Sequence, residues 1–290
     1  MPPHRDPTLS LISLRTDGRR PPEIRHMTCH LGALPPTTSC GSSLPTSACS
    51  GSAMVSMGLT KVLCVVRGPC EVGRRTDEKV TGANVDVTIT LAPFAPPGDR
   101  RTSNSLNDRR LIEQSHLLQK AMSAAILLHL YPKSSIAITV VVLADDGGRL
   151  EAAINACTLA LIDAGIAMKD MVCACSAGRW SGGSGEESIV VDLNRREIQA
   201  ATGGASSSSG GGTSDTIYLP VATMPQRGTV VLSQCESRLS GGAEAFGEVL
   251  ECARRGCEMV MEVMAAAVRE RGAGLWKARE GRASVILDHY

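Results

Sequence analysis

The residues best placed to do chemistry lie in Val141-Val142-Leu143-Ala144-Asp145-Asp146-Gly147-Gly148-Arg149. The aliphatic run reads as the end of a strand, the two glycines as a turn, and Arg149 onward as a helix. Backbone N–H groups at a helix start lack internal partners and can hold an anion. Gly147, Gly148 and Arg149 are the candidate anion-binding residues, with Arg149 adding positive charge. Asp145, Asp146 and Glu151 place negative charge at the same spot. The competing reading is a tight turn whose glycines serve the backbone alone.

Arginine pairs form a second group. Arg109-Arg110 comes after Arg100-Arg101, and Arg15, Arg19, Arg20 and Arg25 crowd the N-terminal region. The planar guanidinium bonds phosphate in a bidentate way, so each cluster could meet a phosphate backbone or simply be a solvated surface. Asp215, Asp192 and Glu197 are candidate acids for proton transfer, or ordinary loop residues. The six histidines make no HExxH spacing, and there is no GxSxG element or P-loop. His129, in an apolar stretch, reads as structural. Cys173 and Cys175 form a CxC too tight for a usual zinc site, so structural thiols are expected and no metal.

These residues need elements to position them. Residues 51–57 and 62–66 read as strands around the turn Gly58-Leu59-Thr60. Val85, Val87, Ile89 and Leu91 alternate with polar residues as a half-buried strand. Asn107 or Asp108 caps a helix predicted from Arg109 to Leu130. Residues 136–143 form a strand, and a helix runs from the Gly147-Gly148 turn to Ala164, with Leu150, Ile154, Cys157 and Leu161 on one face. Strands are expected over 171–177, 188–193, 219–223 and 229–234, and a last helix over 243–270. Helices on mixed sheets in one α/β unit is the fold class.

Composition sets bounds. Hydrophobic residues are 43% and charged residues 20%, which excludes a disordered chain. With Trp 2, Tyr 3 and Phe 2, the core must be aliphatic, and a base-stacking platform is not expected. A net charge of +1 excludes a histone-like protein but leaves room for a local basic patch. The 11 cysteines are scattered without a framework, as free thiols in a reducing compartment would be. No signal core or membrane-length apolar run is seen, so a soluble intracellular protein is expected, with no membrane partner.

Four stretches occur in a telling order. They are Asp17-Gly18-Arg19-Arg20-Pro21 with Glu23-Ile24-Arg25; Gly51-Ser52-Ala53 through Gly58-Leu59-Thr60-Lys61 to Gly68-Pro69; Asp146-Gly147-Gly148 with Ala153-Ile154-Asn155-Ala156 and residues 163–170; and Cys173-Ala174-Cys175-Ser176-Ala177-Gly178. Val191-Asp192-Leu193-Asn194 and residues 219–225 extend the series. It resembles the RNase PH family, and most the ring subunits of the eukaryotic exosome.

The resemblance implies an RNase PH-like fold, related to ribosomal protein S5 domain 2. It implies a domain over residues 11–271, after a lead-in at 1–10 and before a tail at 272–290. Loop insertions fall at 35–50, 181–187 and 201–214. It further implies a hexameric ring of related subunits, S1/KH cap subunits, a hydrolytic exoribonuclease subunit and single-stranded RNA as partners, in nucleus, nucleolus and cytoplasm. Active members release nucleoside diphosphates from RNA 3′ ends with inorganic phosphate as co-substrate and no other cofactor.

Carried over residue by residue, the resemblance implies RNA contact at Arg109 and Arg110, and the nearby Arg100 and Arg101 join them as candidates. Active relatives have Asp-Gly-Gly-Thr-Arg at the phosphate turn; here Arg149 stands for the threonine and Leu150 for the arginine. Glu151 comes next, where a small neutral residue is expected, and Tyr218 stands where the catalytic acid belongs. The expectation is therefore a non-catalytic subunit that guides RNA. Two alternatives stand beside it: an active phosphorolytic exoribonuclease using Arg149 and Asp215, and a protein scaffold without RNA contact.

Overall fold

The computed structural model describes residues 15, 17–34, 49–72, 78–95, 108–181, 187–198, 217–235 and 242–287. Strands β1 (Met27–Leu31), β2 (Gly51–Met57), β3 (Thr60–Glu71), β4 (Asn84–Leu91) and β5 (Ser134–Ala144) form one sheet in the order β1-β2-β3-β5-β4. Helix α1 (Arg109–Ala125) lies between β4 and β5 in sequence, and these two strands pair in parallel. That is the β-α-β connection that parallel pairing demands. Helix α2 (Arg149–Asp163) comes after β5. Strands β6 (Cys173–Ser181), β7 (Glu187–Val191), β8 (Ile217–Met224) and β9 (Thr229–Ser233) form a second sheet, ordered β7-β6-β8-β9. Helix α3 (Gly242–Leu287) closes the described chain.

Helix α2 is the centre of the molecule. It packs on β2 and β3 of the first sheet and on β6 of the second. Residues 150–161 are all buried. This corrects the expectation of a single apolar face through Leu150, Ile154, Cys157 and Leu161. A helix with a sheet on either side needs small residues all round. Its polar groups are satisfied inside. Asn155 donates to the Ala174 carbonyl at 3.0 Å and accepts from the Ala174 N–H at 2.8 Å. Thr158 donates to the Val172 carbonyl at 2.8 Å. The core is aliphatic, as the composition requires: the largest fully buried side chains are Met57, Leu118, Met122, Leu193, Leu219 and several isoleucines and leucines.

Several boundaries differ from those expected of the sequence. Strand β1 has no clear sequence signal, because Met27–Leu31 carries no clean alternation. Helix α1 stops at Ala125 instead of Leu130. Ile126 turns extended and bridges Met168, and a 3-10 turn covers Leu128–Leu130. His129 is exposed there, not structural in an apolar helix. The expected tail after residue 271 is helical through Leu287. Gly272 and Gly274 each cost about 1 kcal/mol in a helix, but the residues around them are good helix formers. Of the insertions, only Cys49, Ser50, Ser181 and Glu187 fall among the described residues; 201–214 and the lead-in do not.

Candidate functional site

The turn from β5 into α2 is built by long-range contacts. Gly147 and Gly148 have φ of +88° and +67°, and each is pressed by a neighbour. A Cβ on Gly147 would lie 2.6 Å from the Arg195 nitrogen, and one on Gly148 would lie 2.5 Å from Arg25 Nη2. Only glycine fits both the backbone and the space. The Thr60 hydroxyl donates to the Gly147 carbonyl at 2.7 Å and accepts from the Asp146 N–H at 3.0 Å. The Arg195 N–H donates to the Asp146 carbonyl at 2.8 Å.

Behind the turn lie two buried ion pairs. Arg25 Nη2 and Nε meet Asp192 at 2.7 and 3.0 Å, and both residues are buried. Arg25 also reaches the carbonyls of Asp146 and Gly147 at 3.3 Å. Burial works against its charge, but the bonds and charge of Asp192 more than offset this, so its pKa lies above the ordinary arginine value. Arg15 Nε meets Glu197 at 2.9 Å, and its Nη1 donates to the Val191 carbonyl at 2.6 Å. Glu197 and Asn194 form a capping box: the Glu197 N–H donates to Asn194 Oδ1, and the Asn194 N–H to Glu197 Oε2, each at 2.9 Å.

This corrects both alternatives for Arg15 and Arg25, which neither face phosphate nor belong to a solvated surface: both are buried and structural. Arg19 also turns inward, to the Glu23 and Asp192 carbonyls and Asp17. Asp192 and Glu197 are likewise consumed by these pairs and are not candidate acids.

In front of the turn opens a cleft of about 620 Å³. Its lining includes Arg110 from the first turn of α1, Gly147, Gly148, Arg149 and Leu150 from the β5–α2 turn, Arg195, and Tyr218 from β8. The structure thus brings together Arg110, Gly147, Gly148 and Arg149. Arg109 is exposed on α1 and is not part of the lining, because one residue along a helix turns a side chain by about 100°. Arg100, Arg101 and Asp215 lie outside the described residues.

Arg195 is a site residue that sequence reasoning misses. The Asn194-Arg195-Arg196-Glu197 capping-box spacing is the signal that could place it beside a helix start. Among the described residues the exposed aromatics are Phe94 and Trp276, and neither lines the cleft.

The charges at the turn are partly paired among themselves. Arg149 Nη2 is paired with Asp145 at 3.1 Å, and its Nε is buried without a hydrogen-bond partner among the described residues. Leu150 adds an apolar side chain to the lining. The Tyr218 hydroxyl donates to Glu151 Oε1 at 2.9 Å. Burial pushes the Glu151 carboxyl above its usual pKa, although Tyr218 and Arg25 pull it down. Arg110 and Arg195 have no ion-pair partner among the described residues. Three arginines against Asp145 and Glu113 leave the cleft mildly positive. No group of three or more His, Cys, Asp or Glu able to hold a metal ion occurs among the described residues. None of their helices is long and apolar enough to cross a membrane. Cys173 and Cys175 are buried free thiols, their pKa pushed up by burial.

The comparisons with known proteins agree with this architecture. Residues 23–167 match the model of the 3′ exoribonuclease family, domain 1, known as RNase PH. The exosome complex component ski6 of Schizosaccharomyces pombe is 34% identical over 262 residues, covering 90% of this chain and 93% of that protein. The exosome complex component Rrp41 of Methanopyrus kandleri is 33% identical over 266 residues, covering 92% and 96%. The crystal structure of rice Rrp46 superposes with a TM-score of 0.65 at 22% identity, covering 88% of this chain and 100% of that one; this likeness speaks to the fold. With a family model over half its length and relatives matched nearly end to end, the chain belongs to the RNase PH family of 3′ exoribonucleases.

Proposed function

We propose that this chain is an Rrp41-type subunit of an exosome ring that guides single-stranded RNA and does not itself cleave it. One observation supports the reading: Leu150 and Tyr218 line the cleft, and these are the positions where the family resemblance expects a phosphate-binding arginine and a catalytic acid. Phosphorolysis places phosphate for in-line attack and stabilises the charge that develops. A leucine can do neither, and a tyrosine hydroxyl that donates to a buried glutamate is not an acid aimed at a leaving group. Arg110 and Arg195 line the cleft without an ion-pair partner among the described residues and can meet RNA phosphates, which position a strand without reading its sequence.

The names of the relatives, exosome complex components, support a place in an exosome; the finer partners and compartments belong to the proposal. The partners are other RNase PH-like subunits in a hexameric ring, cap subunits of the S1/KH type, and a hydrolytic exoribonuclease subunit that performs the cleavage. Such a particle works inside the cell, in nucleus, nucleolus and cytoplasm. Arg109, Arg100 and Arg101 belong to the same proposed RNA path.

Reconstitution tests this. Co-expressed with its ring neighbours, the full chain should elute in a hexameric particle, and ultraviolet light should crosslink single-stranded RNA to it. Replacing Arg110 and Arg195 with alanine should weaken the crosslink without dissolving the particle. A chain that stays outside the particle, or crosslinks unchanged by both replacements, would overturn the proposal.

A further inference from the structure

The carboxyl group of Glu151 has no task in guiding RNA, yet it lies directly behind the cleft wall, bonded to Tyr218 and beside Gly148, both of which line the cleft. Glu151 is the third residue of α2 and only 2% exposed. Oε1 is held by the Tyr218 hydroxyl at 2.9 Å, and Oε2 has no hydrogen-bond partner among the described residues. A Cβ on Gly148 would lie 3.6 Å from Oε2, so the group sits against the turn that lines the cleft. The neighbouring cation, Arg149, is already engaged by Asp145.

We propose that Glu151 is the residue that excludes inorganic phosphate from this cleft, by serving as an internal anion at the start of α2. The proposal rests on the reading of the cleft as non-phosphorolytic and names the device behind it. A small anion arriving at the helix start meets a like charge buried just behind the turn, and that juxtaposition disfavours it. Tyr218 fixes the group in this position, so the tyrosine that replaces an acid and the glutamate that replaces a small residue act as one unit. Arg110 and Arg195 line the cleft from other elements and are open to a longer polyanion.

The test uses the full-length chain and inorganic phosphate as probe, at constant ionic strength and neutral pH, with binding read by calorimetry. Wild type should show no saturable binding up to tens of millimolar phosphate. Glu151→Thr should bind at least about tenfold more tightly than wild type, and adding Arg149→Ala should abolish the gain. If Glu151→Thr does not fold, Glu151→Gln, which keeps the shape and the contact with Tyr218, is read by the same criterion. Saturable phosphate binding by wild type that is lost on Arg149→Ala would overturn the proposal. So would a folded variant that binds no better than wild type. Ring assembly and RNA crosslinking do not enter this readout, so its failure is separable from failure of the proposed function.

Discussion

Two groups of arginines, close in space, carry opposite duties. Behind the β5–α2 turn, Arg15 and Arg25 are buried and each is locked to a carboxylate. In front of it, Arg110, Arg149 and Arg195 line an open cleft, and of these Arg149 alone has an ion-pair partner among the described residues. The inner pairs build the turn; the outer arginines are what the turn presents. A guanidinium is therefore not a nucleic-acid signal by itself. What matters is whether a carboxylate has already claimed it.

The largest expected effect breaks the inner group. Arg25→Ala leaves Asp192 buried and unpaired at 2% side-chain exposure, and strips a support from the Asp146 and Gly147 carbonyls. Loss of about 3–5 kcal/mol is expected in denaturant unfolding. A loss below about 1 kcal/mol would show that the pair is not what holds the turn. The mirror experiment breaks the outer group. Arg110→Ala and Arg195→Ala should change stability by no more than about 0.5 kcal/mol. In the assembled ring each should weaken RNA binding and lower the salt dependence of the affinity by about one phosphate contact. An unchanged salt slope would remove these side chains from the RNA path.

The smallest effect concerns Glu151, which stands between the two groups. Its pKa is raised in the folded chain by burial, so above about pH 4.5 the unfolded chain binds fewer protons than the folded one. Stability then falls as pH rises toward the folded pKa. Glu151→Gln removes that loss. Thermal melts should show the variant gaining on wild type as pH increases through this window, and a difference that does not change with pH would contradict it.

Much of this is legible in the residues. The alternation of Val85, Val87, Ile89 and Leu91 marks β4, and Asp145-Asp146-Gly147-Gly148-Arg149 marks the turn that lines the cleft. Both are local patterns set by strand and helix geometry. The inner ion pairs are not legible because their partners are far apart in sequence: Glu197 is 182 positions from Arg15, and Asp192 is 167 from Arg25. Chain position cannot tell those arginines from Arg110. The contact between Tyr218 and Glu151, 67 positions apart, escapes for the same reason, although each residue is conspicuous alone. Helix α2 looks one-faced in sequence because its apolar stripe is real; its polar residues, Asn155 and Thr158, bond inward to the second sheet and to the segment leading into it.

The central claim is that RNA passes this cleft without being cut in it. The most direct measurement is product analysis: the full chain, alone and in the ring, is incubated with single-stranded RNA and inorganic phosphate, and nucleoside diphosphates are sought. None that depend on this chain are expected. Phosphate-dependent release of nucleoside diphosphates, abolished by Asp215→Ala or Arg149→Ala, would contradict it.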